Sequence, residues 1–205
     1  MKVKTLLLGA AAAFVMAPAA MAERGSDGQV NVIYWQAPSI MNPYLSGGTK
    51  DFEAASLVIE PLARYDENGA LVPFVAAEVP TVANGGVSED LTTITWKIRP
   101  GILWSDGTPV TSNDAKFTAE YCMNPEGGCA QAAFFDGVKS IETPDDMTVV
   151  ITFNEPKPNP YGPLVGGQSP IIQAAQFADC TGAKAPECTE ANFNPIGTGP
   201  FVVTD

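Results

Sequence analysis

TWKIRPGILWSDGTPVTSNDAKF, residues 95–117, places a strand, a turn and a helix start in one run. Ile94, Trp96 and Ile98 alternate with Thr93, Thr95, Lys97 and Arg99, so residues 92–99 read as a strand with one buried and one wet face. Pro100-Gly101 ends it, and Ser105-Asp106-Gly107 forms a turn in which the aspartate accepts local backbone N–H groups. Thr111 is placed to cap a helix, with Asp114 three residues on as the acidic member of a capping box. Ala115, Ala119 and Cys122, and Phe117 with Tyr121, then follow at helical spacing. The Asn124 to Gly128 stretch cannot extend that helix.

Outward from this run the pattern stays mixed α/β. Met147, Val149, Ile151 and Phe153 alternate with Thr148, Val150 and Thr152, a second half-buried strand, and residues 138–142 pair with it across Thr143-Pro144-Asp145-Asp146. Residues 62–65 and 71–74 flank Asp66-Glu67-Asn68-Gly69 as a hairpin. Residues 50–62 carry a mostly helical pattern after Gly47-Gly48, and the apolar run 30–35 reads as one buried strand leading into a loop. Residues 156–163 are a proline-rich connection, and residues 196–203 end in a short strand.

The first 22 residues read as a secretory signal: Lys2 and Lys4, an apolar run from Leu6 to Met16, and Ala20-Met21-Ala22 as the cleavage site. With no cysteine beside the cut, the reading is a released, periplasmic protein rather than a lipoprotein. Cleavage leaves nine basic against 23 acidic residues, a charge of −14, which excludes nucleic acid as a partner because phosphate binding needs a basic surface.

Cys122, Cys129, Cys180 and Cys188 all lie in the exported part. An oxidising compartment makes disulfides the default. Three connectivities are possible, and the local pairs Cys122 with Cys129 and Cys180 with Cys188 need the least long-range geometry. A structural metal site competes poorly, since C-x₂-C spacing and histidine are both missing. Without histidine, neither Ser-His-Asp nor Cys-His chemistry can be assembled, and the acidic pairs Asp66-Glu67, Glu89-Asp90 and Asp145-Asp146 are turn neighbours that would not face one substrate. No enzyme, cofactor or metal is expected.

Three stretches in order, LVIEPLARYDENGALVP (57–73), the 95–117 run and PIGTGPF (195–201), resemble the family 5 solute-binding proteins, the oligopeptide, dipeptide and nickel receptors of ABC importers. Any one could be scaffold in an unrelated α/β protein; their order behind a signal sequence is far harder to obtain by chance. The resemblance implies a periplasmic-binding-protein type II-like two-lobe fold, of which this chain supplies an incomplete first lobe. Residues 23–44 would start that lobe, 45–165 form a subdomain inserted in it and 166–205 re-enter it, with the second lobe absent. It implies a monomeric receptor that captures a peptide, or alternatively a nickel chelate, haem or oligosaccharide, and delivers it to a membrane permease. A secreted hydrolase is the alternative from another class. For ligand contact the candidates are Trp35, Gln36 and Ala37 at the exit of the first strand, Phe134 and Phe135 in a loop, and Gln168 with Ser169 in a polar Gly-Gly-Gln-Ser segment. Trp35, Phe134 and Phe135 read equally as core.

Overall fold

The computed structural model describes residues 28–204, so the signal-sequence reading of residues 1–22 lies outside the described residues. The chain divides into two units, residues 1–34 and 35–205. In the first, residues 29–34 are exposed and in no strand. This corrects the expected buried strand over 30–35: Ile33 is 98% and Trp35 70% exposed. An apolar run is buried as a strand only where neighbours pair its backbone and a layer covers it, and no ladder forms on residues 30–35 among the described residues.

The second unit is built on a three-stranded antiparallel sheet of order β3-β5-β4, with β3 Thr93–Lys97, β4 Val138–Asp145 and β5 Thr148–Phe153. Ile94 sits opposite Ile151 and Trp96 opposite Val149, which places the alternating apolar residues of both strands on one buried face. The β4–β5 turn is tighter than the sequence suggested. Pro144, which cannot donate to a ladder, falls at a register irregularity between Glu142 and Asp145. The Asp145 carboxylate then accepts the Met147 N–H (2.9 Å) and the Thr148 hydroxyl (2.8 Å).

Helix α2, Ser112–Met123, packs on β4 and β5. At its start the Asp114 carboxylate accepts the Thr111 N–H at 2.9 Å and the Thr111 hydroxyl at 3.2 Å. The same carboxylate reaches the Ala174 N–H at 2.9 Å, tying α2 to α3, Ala174–Phe177. Tyr121 presents its ring to Tyr44 and, edge-on, to Phe177. Cys122 is joined to Cys129 and Cys180 to Cys188. The second bridge spans a 3₁₀ segment, Gly182–Glu187, that leads into α4, Thr189–Phe193. These pieces between residues 174 and 193 are too short to show a helical period in the sequence.

The expected hairpin forms as β1, Ala63–Tyr65, and β2, Leu71–Pro73. Helix α1 covers only Thr49–Ala55, not the whole of 50–62. β-branched Val58 and Ile59 are poor at prolonging a helix, and Pro61 disfavours helical backbone at Glu60. Val58, Ile59 and residues 61–63 are buried instead, with Leu57 exposed and Glu60 half-buried, and the backbone of 57–63 is shared among several partners. Leu62 N–H donates to Leu164, Ile171 N–H to Glu60, and Phe74 and Ala76 N–H to Leu62, at 2.9 to 3.0 Å.

The 195–201 segment lies across this strip. Gly199 N–H donates to the Val58 carbonyl (2.8 Å) and Phe201 N–H to Leu57 (3.3 Å), while the Ser105 N–H donates to the Gly197 carbonyl (2.8 Å). The short strand expected after Pro200, at the end of 196–203, does not form among the described residues: residues 201–204 belong to no ladder. Glycine is required here by distance. A Cβ on Gly197 would stand 1.9 Å from the Val58 oxygen, and one on Gly199 2.6 Å from the Leu57 oxygen.

Replacing Gly197 with alanine should therefore destabilise the protein by about 3 kcal/mol or more, since backbone must move. Gly47→Ala, where the added methyl meets nothing within 4 Å, should stay within about 0.5 kcal/mol of wild type in the same urea titration. Equal small effects would refute the close approach. Non-reducing peptide mapping of protein produced in an oxidising compartment should recover the two local disulfides; crossed pairs or free thiols would contradict them.

Candidate functional site

The Gly-Gly-Gln-Ser segment lies beside β1, where Ala63 bridges Val165 in parallel register and the Gly166 N–H donates to the Ala63 carbonyl at 2.8 Å. Gly166 holds φ of +82°, a backbone that a side chain would strain. The segment and α1 enclose a depression of about 310 Å³, lined by Phe52, Glu53, Ser56, Arg64, Tyr65 and the backbone of Gly166 and Gly167.

Arg64 anchors this depression. Its Nη2 donates to the carbonyls of Ser56 (2.8 Å) and Ile59 (3.3 Å), groups freed where α1 ends, and its guanidinium lies 4.7 Å from the Phe74 ring centre. Burial lowers its pKa and nearby Glu60 opposes that effect. Its Nε is buried without a hydrogen-bond partner among the described residues. Sequence reading passed over this arginine, although a cation beside Tyr65 in a strand otherwise flanked by apolar residues was a usable signal.

The residues singled out from sequence separate into three groups. Gln168 is half-buried next to the depression and Phe134 is half-buried in a 3₁₀ turn, Ala132–Phe135. Ser169 and Phe135 are buried: the Ser169 hydroxyl accepts the Leu164 N–H at 3.0 Å, and Phe135 belongs to the core. Neither is open to a solute in this arrangement. Trp35, Gln36 and Ala37 are exposed. Asp106 is an anchor, as expected: its carboxylate accepts the Thr108 N–H (2.9 Å), the Thr108 hydroxyl (2.6 Å) and the Gln173 amide (2.8 Å), and the Thr108 and Gln173 bonds lower its pKa.

The chain just beyond Ala37 is fixed by Asp51 of α1. Burial would raise the pKa of this carboxylate, but hydrogen bonds from Lys50 Nζ (2.7 Å), the Ser46 hydroxyl (2.6 Å) and the Ser39 N–H (2.6 Å) outweigh it and hold the pKa at about 2, below 3.8. The Lys50 ammonium also reaches the Ser39 hydroxyl.

This mixed architecture is that of the periplasmic binding proteins. An AgaA structure from A. tumefaciens R10, in complex with agropinic acid, is matched with a TM-score of 0.68 at 27% identity, over 82% of this chain and 31% of that one. The oligopeptide-binding protein AppA of Bacillus subtilis, in complex with a nonapeptide, is matched with a TM-score of 0.69 at 21% identity, over 82% of this chain and 32% of that one. A Brucella ovis protein that bears the name of an ABC transporter peptide-binding protein is 36% identical over 115 residues, 56% of this chain and 21% of its own length. Residues 71–205 match the family described as bacterial extracellular solute-binding proteins, family 5 Middle. The chain belongs to that family. Its match spans about a fifth of the length of this relative. No helix among the described residues is long and apolar enough to cross a membrane.

The depressed pKa of Asp51 has a defined consequence for stability. Its contribution is complete above the unfolded-state value of 3.8 and is lost as pH falls through about 2. The stability difference between wild type and Asp51→Asn in urea should hold steady from about pH 7 to 5 and close between about pH 4 and 2. A difference that stays constant through the acid range would show that the charge of Asp51 does not secure the 39–51 connection.

Proposed function

We propose that the protein carrying this chain is a non-catalytic, monomeric periplasmic receptor that captures peptides and delivers them to the membrane permease of an ABC importer. The observation that carries this reading is family membership over residues 71–205, together with a relative named for peptide binding at 36% identity. AppA, which shares the fold, holds a nonapeptide. On this reading residues 1–22 are a cleaved export signal, 23–44 begin the first lobe, 45–165 form its inserted subdomain and 166–205 return to it. Trp35, Gln36, Ala37, Phe134 and Gln168 are its solute-facing candidates.

The mechanism is closure of two lobes around the solute. Binding energy must exceed the cost of closing, so the closed receptor is populated when solute is present and is the form a permease recognises. A peptide is recognised through its main chain and termini, which lets the side chains vary.

Native mass spectrometry of the gently purified periplasmic protein should find peptides as its specific occupants. A nickel chelate, haem or an oligosaccharide in their place would reject the peptide reading. Turnover of peptides or glycosides by the purified protein would replace it with a secreted hydrolase.

A further inference from the structure

We propose that the depression between α1, β1 and Gly166-Gly167 is a carboxylate-binding subsite in which Arg64 pairs with an anionic group of the solute. This deepens the receptor reading and rests on it for the identity of the solute, though not for the chemistry of the site.

Arg64 is held in place before any ligand arrives. Two backbone carbonyls fix Nη2, the Phe74 ring supports one face, and no carboxylate lies within ion-pair distance of the guanidinium among the described residues. Burial of part of a cation with no ionic partner is costly, and an incoming carboxylate offsets that cost. Among the described residues no protein group accepts from Nη1, so its two N–H donors remain for a ligand. A pre-positioned guanidinium loses little side-chain freedom when it binds a planar anion.

The surrounding walls suit a small organic acid better than a bare ion. Phe52 and Tyr65 supply aromatic surface, and Gly166 and Gly167 leave the opposite wall without side chains. A Cβ on Gly167 would make only an ordinary 3.6 Å contact with Ser56, so the space beyond it is open. Glu53 on the rim opposes a second anionic group and favours an ammonium there. The two nearby acids, Glu53 and Glu60, therefore select for a ligand with one carboxylate over a polyanion such as phosphate or citrate.

The probe pair is N-acetylalanine and its neutral amide, titrated into the exported protein while the side-chain ¹H–¹⁵N signals of its arginines are followed by NMR. The acid should shift the Arg64 signal saturably and the amide should not. Arg64→Lys, followed through the backbone amide signals of Gly166 and Gly167 that line the depression, should weaken the acid at least tenfold. Because Arg64 also caps α1, Gly167→Met provides a second variant that keeps the guanidinium and fills the depression; it should abolish the shift with the fold intact by circular dichroism. Equal response to acid and amide, no Arg64 shift, or undiminished binding in Gly167→Met would overturn the subsite. None of these results depends on finding peptides in the native protein, so failure of the subsite is distinguishable from failure of the receptor reading.

Discussion

The backbone of residues 57–63 is the element on which the rest of the body depends. Most of it is buried, at 58, 59 and 61–63, where backbone polar groups need partners, and the partners come from separate parts of the chain. The hairpin, the 164–171 segment and the glycine segment at 195–201 all bond to this strip. The approach of Gly197 leaves no room for a side chain. A glycine in this setting is a matter of atomic distance; turn preference alone would not demand it.

That strip also joins the three sequence motifs physically. The 57–73 motif supplies the strip and the hairpin. The 195–201 motif crosses it, and the turn within 95–117 contacts the crossing through Ser105 and Gly197. Asp106 and Asp114 extend the same connection to Gln173 and Ala174. Carboxylates in these motifs thus act as ties between segments far apart in sequence.

The candidate site inherits its position from this arrangement. Arg64 sits in the strand that leaves the strip, its anchoring carbonyls belong to the end of α1 and the strip's beginning, and Gly166-Gly167 are laid beside it by the bridge from Ala63 to Val165. Asp51, one turn into α1, fixes the chain that follows Trp35, Gln36 and Ala37. Short α1 therefore organises both the depression and the 39–51 connection. Its early end, forced by the residues leading to Pro61, exposes the carbonyls that Arg64 needs.

Alternation in β3 and β5, the Asp66 to Gly69 hairpin turn, the Asp106-Gly107 turn and the start of α2 at Thr111 were legible in the sequence, because each depends on residues within a few positions of one another. Local cysteine pairs were legible for the same reason. Burial was not, because it is a property of the partners: an apolar run at 30–35 lies exposed, while Ser169 and Phe135, proposed as ligand contacts, are enclosed. Alpha-helical periodicity overran α1 because the pattern of apolar residues continues past the point where β-branched residues and Pro61 stop the helix. The sequence by itself determined β3, β5, the hairpin, the start of α2 and the family. Only the tertiary structure decided that Arg64 would be anchored with no ionic partner among the described residues and that Gly197 must be glycine, since both follow from contacts between backbone segments that no local pattern encodes.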